Sequence, residues 1–406
     1  MIPDDALATS ARLMSEFAVR TGLSAPKQRA ERYLWTDAFA VCNFIELFRR
    51  TRDEKYLRYA TDLIDQVHRV LGRYRDDDAR RGWISGLDEE AGRSHPTAGG
   101  LRIGKPLKER DANEPVDERL EWDRDGQYFH YLTKWMHALC QAALFIGEAA
   151  YARWAVELGE RAFAGFARGP RSGEVVGLYW KMSTDLSRPL VPAMGAHDAL
   201  DGFITFRQAR HAQMSLGEGA ATALSGAIES LSLLCRHRDW TTEDPLSLGG
   251  LLFDACRLCR LPGEERSNDA DLLEELTSGC SNGLMAFLAG RQLSWPSSQR
   301  LAFRELGLAI GLRGLPIIAA AVAQPRSRFE GRLSLRRSLD RLLPHESVSE
   351  RIVEFWLPRA QHHDASWQEH CNINDVMLAT ALAPNMFLLA AGSPDLAKSS
   401  GSRVSD

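Results

Sequence analysis

The chain has 406 residues, 44% hydrophobic and 26% charged, which is ample material for one large core or two average ones. Its net charge of −4, with both signs interspersed, gives no electrostatic reason to expect nucleic acid as a partner. No apolar run approaches the roughly 20 residues of a membrane span, and the acidic start MIPDDALATSARL lacks the layout of a signal peptide, so no membrane partner is expected and the expected compartment is the cytoplasm.

Alternating β-branched runs bounded by turns hardly occur, while apolar residues recur at helical spacing almost throughout. The first strong helix is predicted over 33–50. Its stretch RYLWTDAFAVCNFIELF puts Arg32, Thr36, Ala40 and Asn43 along one side, with Trp35 and Asp37 in the first turns. An acid there is favoured by the helix dipole. The short turn TRDEK leads into a second, amphipathic helix containing YLRYATDLIDQV (56–67).

A long connection, 75–126, follows. It holds RRGWISGLDEE, with Trp83 and Asp88, and the basic glycine-rich loop GRSHPTAGGLRIGKPLKER over 92–110. GGLRIGK lacks the spacing and the Ser/Thr of a P-loop. Its cations, among them Arg102 and Lys105, are suited instead to an anionic group such as a uronate, glycerate or phosphate, or simply to solvent. The connection ends in Glu121-Trp122-Asp123-Arg124-Asp125.

The next predicted helix, 128–147, opens with Tyr128 and aligns His130, Lys134, His137 and Gln141 on one polar stripe, with Leu132, Met136, Leu139 and Ala143 on another. Such a stripe needs something wet to face. After a turn near Glu148 comes YARWAVELGERA (151–162), which aligns without gaps on 56–67: Tyr56 with Tyr151, Arg58 with Arg153, Tyr59 with Trp154, Ala60 with Ala155 and Leu63 with Leu158. A long helix, a tight turn and an amphipathic helix make an αα-hairpin. Further hairpins are predicted at about 195–236, 246–293, 299–342 and 346–392. His197, Asp198 and Asp201 stand near the start of the third hairpin. WQEHCNIND, with Trp367, Glu369, His370, Asn374 and Asp375, precedes or opens the last inner helix.

Six hairpins in roughly 400 residues predict an all-α, (α/α)6 toroid with little or no sheet. It would form a single domain over 1–392, followed by a flexible tail at 393–406. Turns within the clear hairpins are short; connections between them (75–126, 167–194, 357–371) are long, which gathers the functional loops and the inner-helix N-termini on one rim. An open solenoid would have more uniform repeats.

TRDEKYLRYATDLIDQV resembles the outer helix of six-hairpin glycosidase-like proteins, which include glycoside hydrolases, unsaturated glucuronyl hydrolases, sugar 2-epimerases and some polysaccharide lyases. The resemblance is architectural and implies a sugar-binding cavity at the inner-helix N-terminal rim.

The polar clusters on that rim combine tryptophan with carboxylates. An aromatic face packs on a pyranose, while acids bond hydroxyls and transfer protons. The expected catalytic set is Asp37, Asp123, Asp125, His130, His197, His370 and Asp375. The expected substrate-binding set is Trp35, Arg102, Lys105, Trp122, Tyr128, Lys134, His137, Trp367 and Asn374. The leading expectation is a glycoside hydrolase using paired carboxylates on a small glycoside, an anionic one if the basic loop takes part. Alternatives are an epimerase with His130, His197 and His370 as acid and base, a lyase using Tyr, His and Arg, or a non-catalytic scaffold. No cofactor is expected. His362, His363, Asp364, His370 and Asp375 match no strong metal-ligand spacing. The seven cysteines, including the CRLC pair Cys256 and Cys259, read as inert thiols. The partner expected is a small-molecule carbohydrate; composition says nothing of oligomeric state.

Overall fold

A computed structural model describes residues 4–24, 30–169, 174–219, 222–262 and 268–389; the tail expected at 393–406 lies outside them. Backbone contacts divide the chain into two compact units, one of Ala18–Leu234 and one of Met1–Phe17 with Cys235–Asp406. The class is all-α, built of helical hairpins, with a few very short strands. Helix α1 (Asp4–Arg20) contributes to both units.

In the 18–234 unit, α2 (Leu34–Thr51) pairs with α3 (Glu54–Leu71), α6 (Phe129–Ile146) with α7 (Ala149–Phe166), and α8 (Asp198–Ser215) with α9 (Ser225–Leu234). Short helices α4 (Glu89–Ser94) and α5 (Glu118–Glu121) lie in the long connection between the first two hairpins. Helix α6 packs against both α2 and α8, so these three form the inner layer. Their burial shows it: α2 buries every residue from Leu34 to Leu47, whereas α3 buries only one face, through Tyr56, Ala60, Leu63, Ile64 and Val67. The repeat read in the sequence is a repeat in space. Tyr151, Ala155 and Leu158 of α7 are buried at the positions of Tyr56, Ala60 and Leu63.

Two small antiparallel sheets stitch the connections. β1 (Gln127–Tyr128), β4 (Lys181–Met182) and β5 (Pro189–Val191) form one, in the order β1-β4-β5. β2 (Ala167–Arg168) and β3 (Gly177–Leu178) form the other. The register Tyr128↔Lys181 brings the 174–191 segment beside the start of α6.

In the other unit, α10 (Pro245–Arg260) packs on α11 (Asp269–Ala289), α12 (Ala302–Leu312) and α13 (Leu315–Ala323); α14 (Leu333–Leu342) lies on α11. Helix α15 (Val348–Trp356) and α17 (Cys371–Leu382) both pack on α12, with α16 (Ala365–Gln368) leading into α17 and α18 (Asn385–Leu388) following it. Ser10 Oγ of α1 donates to Ala379 O at 3.4 Å, tying the start of the chain to α17.

The stretch Ala302–Ala323, 22 residues with an 18-residue window of mean hydropathy 1.9, is long and apolar enough to cross a membrane by length and composition, but 61% of that window is buried in the fold. Arg313 and Gly314 break it into α12 and α13, which is why no single apolar run stands out in the sequence.

All seven cysteines are free thiols. Burial pushes those of Cys42, Cys235, Cys256, Cys259 and Cys280 up, as for small core residues rather than nucleophiles.

Candidate functional site

The inner-helix starts of the 18–234 unit carry an aromatic cluster. Tyr33 is the residue before α2 and Tyr128 the residue before α6, both with extended backbone. Tyr33 is fixed from both sides: its N–H donates to Asp37 Oδ2 at 2.9 Å, and the next residue, Leu34, donates its N–H to Ile103 O at 3.0 Å. Its hydroxyl lies 2.5 Å from that of Tyr131, and the two rings meet edge to face at 5.5 Å. Tyr131 also touches the rings of Tyr128 at 5.1 Å and His130 at 4.8 Å. Trp180, delivered by the β1–β4 pairing, lies 5.1 Å from Tyr128 and nearly parallel to His130 at 6.2 Å; Trp122 stands edge-on to it at 5.2 Å. Tyr33, Tyr131, His130 and Trp180 are each half-buried, and Trp122 is exposed, so the cluster has an open side.

His130 is its titratable centre. Burial drives its imidazole down to about 4; the Lys134 cation adds to this and Asp201 opposes it, so the ring is neutral at pH 7. Nδ1 is buried without a hydrogen-bond partner and faces Asp198 Oδ1 at 3.8 Å. Nε2 is therefore the ring nitrogen on the open side. An Nδ1–H pointing toward Asp198 leaves the Nε2 lone pair available as a base. Burial raises the Tyr33 phenol to about 12 and the Tyr131 phenol well above its ordinary range, so both keep their protons and act as hydrogen-bond donors.

The carboxylates nearby are already committed. Asp125 is wholly buried: Arg102 binds Oδ2, while the N–H groups of Gly104 and Gly126 donate to Oδ1 at 3.0 and 3.1 Å. Arg102 also donates to Val70 O at 2.7 Å and Arg73 O at 2.6 Å, so this guanidinium anchors a loop and has no face to offer a substrate. Asp37 faces Arg32 at 3.4 Å and the Tyr33 N–H, and burial lifts it to about 6. Asp201 accepts from Thr133 Oγ at 2.5 Å, Lys134 Nζ at 2.6 Å and Thr205 Oγ at 3.2 Å. Asp198 accepts the Gly195 N–H at 3.1 Å. Glu121 takes the fully buried Lys181 ammonium at 2.9 Å, which also donates to the carbonyls of Glu121 and Arg124. Of this group only Asp123 is exposed and makes no ion pair among the described residues.

The structure thus brings Asp37, Asp123, Asp125, His130, Tyr128, Lys134, Lys105, Arg102 and Trp122 onto the elements around one end of α2 and α6, with His197 half-buried at the N-cap of α8. The polar stripe of α6 is satisfied by α8 and not by an open space. Lys134 binds Asp201, and His137 Nδ1 meets Gln208 Oε1 at 2.9 Å. Only its N-terminal end, at His130, is open. Trp35 is buried against Phe39 with ring centres 4.6 Å apart.

His370, Asp375, Trp367 and Asn374 belong to the other unit. Trp367 is 2% exposed and stacked on His362 at 3.8 Å, so it is core and no sugar platform. Asn374 is buried and donates to Trp367 O at 3.0 Å; Asp375 is buried on α17, and His370 lies edge-on to Phe303 at 5.4 Å. A cavity of about 350 Å³ in this unit, lined by Arg238, Trp240, Glu274 and Asn282, involves none of the expected residues. Among the described residues no group of three His, Cys, Asp or Glu side chains is placed to hold a metal ion.

Sequence reasoning missed Tyr33, Tyr131 and Trp180. Tyr33 stands just before α2 and Tyr131 in the first turn of α6, and a tyrosine at either place carries no motif. Trp180 sits in a long connection whose strand pairing is visible only in three dimensions.

No family model and no curated protein sequence matches this chain. Among solved structures, cellobiose 2-epimerase from Spirochaeta thermophila superposes with a TM-score of 0.48 at 12% identity, over 95% of this chain and 100% of the other. D-mannose isomerase superposes with a TM-score of 0.42 at 12% identity, over 83% and 85%. A likeness at this level leaves the chemistry to be read from the site's own residues.

Proposed function

We propose that the chain is a carbohydrate-active enzyme that moves a proton at the carbon beside a sugar carbonyl, an epimerase or isomerase, with His130 as the acid–base group. The observation that carries this reading is the state of His130: neutral at pH 7, with Nε2 on the open side of an aromatic cluster whose tyrosines keep their protons. Nε2 takes the proton from C2 of an open-chain aldose. The C2–H electron pair moves into the C1–C2 bond, and the carbonyl becomes an enediolate held by the hydroxyls of Tyr33 and Tyr131. When the enediolate turns over in the site, return of the proton from Nε2 to the other face of C2 gives the epimer; return to C1, with proton transfer from O2 to O1, gives the ketose. No oxidant or reductant is consumed. Trp180 and Tyr128 supply ring faces for the sugar.

Paired-carboxylate hydrolysis, the leading expectation from the sequence, is less well supported. It needs two carboxylates free to face the anomeric carbon, and Asp37, Asp125, Asp198, Asp201 and Glu121 are bound to protein donors, leaving Asp123 alone.

The test is incubation with aldohexoses in D2O, read by NMR. Deuterium is expected at C2 of the epimer, or at C1 of the ketose, and His130→Gln is expected to lower kcat by about 10²–10⁴ with little change in folding. The acid limb of kcat/KM is expected near pH 4 rather than 6.5, because protonation of Nε2 removes the base. Release of the aglycone from nitrophenyl glycosides without exchange at C2 would overturn the proposal in favour of hydrolysis.

A further inference from the structure

Lys105 is a cation with no salt-bridged anion among the described residues. It is half-buried, its ammonium lies 5.3 Å from the centre of the Tyr33 ring, and it makes no ion pair among the described residues. The other cations around it are spent: Arg102 on Asp125, Lys181 on Glu121, and Arg75 on Asp77 at 2.7 Å. Two carboxylates act on Lys105 from a distance, Asp123 and Asp125; the second is neutralised by Arg102, and the first is exposed to solvent. Burial pulls the Lys105 ammonium below its ordinary range, the signature of a charge that lacks full solvation and a partner.

The backbone that carries Lys105 is held rigidly. Arg75 donates to Lys105 O at 2.6 Å and Pro106 O at 2.8 Å, and the preceding Gly104 N–H donates to Asp125. A long, flexible side chain is thus launched from a fixed point toward Tyr33, whose hydroxyl bonds Tyr131, next to His130. A solvated surface lysine needs no such mounting.

We infer that Lys105 binds an anionic substituent of the substrate, so that the sugar handled at the Tyr33–Tyr131–His130 cluster carries a carboxylate or phosphate group. This rests on the proposed sugar chemistry at that cluster, and it narrows the substrate class. The proton is moved at the C1–C2 end beside His130, and the anion sits at the distal end beside Lys105. A charge-assisted hydrogen bond in a half-buried site is worth about 10- to 100-fold in affinity.

The experiment compares D-glucose, D-glucuronate and glucose 6-phosphate, with inorganic phosphate alone as a fourth ligand, by calorimetry and by C2 deuterium exchange. It uses the full chain and its Lys105→Met and Lys105→Arg variants. One or both anionic sugars are expected to bind at least ~10-fold more tightly than glucose, with the better of the two naming the group. Lys105→Met is expected to abolish that preference and Lys105→Arg to keep most of it. Equal affinity for neutral and anionic sugars, or a preference that survives Lys105→Met, overturns the inference. Lys105-dependent binding of anionic sugars without exchange at C2 sinks the sugar chemistry and leaves the anion site standing. Exchange with glucose and no anion preference does the reverse.

Discussion

Gly104 holds φ at +91°, and a Cβ there would lie 2.1 Å from the carbonyl oxygen of Arg32. Both facts follow from the same close approach, in which the 101–105 segment lies against the start of α2 so that Ile103 O can accept the Leu34 N–H. Glycine is therefore required at this position, and it sets where Lys105 begins. Gly104→Ala is expected to destabilise the protein by about 2 kcal/mol or more, because the strained backbone and a contact with a backbone oxygen cannot be relieved by a rotamer change. Urea denaturation would measure it; a loss under about 0.5 kcal/mol, the range of neutral surface changes, would show that the loop can move away. Asp125 illustrates the opposite lesson. As an acid in a Trp-rich polar cluster it reads as a catalyst, yet its buried carboxylate joins Arg102 to two backbone N–H groups and holds the same loop.

The hairpin turns show how a repeated sequence makes a repeated shape. Helices α2 and α6 both end on a left-handed residue, Arg52 at φ 61° and Gly147 at φ 84°, whose N–H closes on the carbonyl four residues back. Each following helix is then capped by an acid: Asp53 accepts from Lys55 N, and Glu148 from Ala150 N. Only the second hairpin uses the residue suited to that conformation. Arg52→Gly is expected to stabilise the protein by about 0.5–1 kcal/mol, and Gly147→Ala to cost about 1 kcal/mol. Arg52 is exposed, so its loss removes no packing. Thermal melts of the two variants moving in the same direction would contradict this.

At the scale of the folded chain, buried histidine makes stability depend on pH. His68 is buried between α3 and its neighbours, accepts the Trp135 indole N–H at Nε2 over 3.1 Å, and is pushed by burial from 6.5 down to about 3. His130 is lowered as well. The unfolded chain takes up a proton on each ring below pH 6.5, and the folded chain does not. Stability from these groups is therefore fully present above pH 6.5 and is lost as pH falls toward the folded values, by about 1.4 kcal/mol per pH unit for each ring. His68→Gln keeps an acceptor for Trp135 but cannot be protonated. Denaturation curves collected between pH 4 and 7 should show a shallower fall for this variant than for the unaltered chain, by about one proton; equal slopes would mean that His68 opens before the chain unfolds.

The sequence by itself determined the helical class, the short turns within the clear hairpins and the buried face of each outer helix, because these follow from the 3.6-residue period and from local turn chemistry. It also marked the polar residues at the starts of α2 and α6. What each of those residues does was decided only by tertiary structure. Lys134 and His137 lie on a stripe that any helical projection shows, but their partners Asp201 and Gln208 are some seventy residues away on α8. Arg102 and Lys105 look alike in the loop sequence, yet the fold gives Arg102 the Asp125 carboxylate while no carboxylate among the described residues forms an ion pair with Lys105. A charge's role depends on what lies within a few ångströms of it, and long-range packing sets that distance.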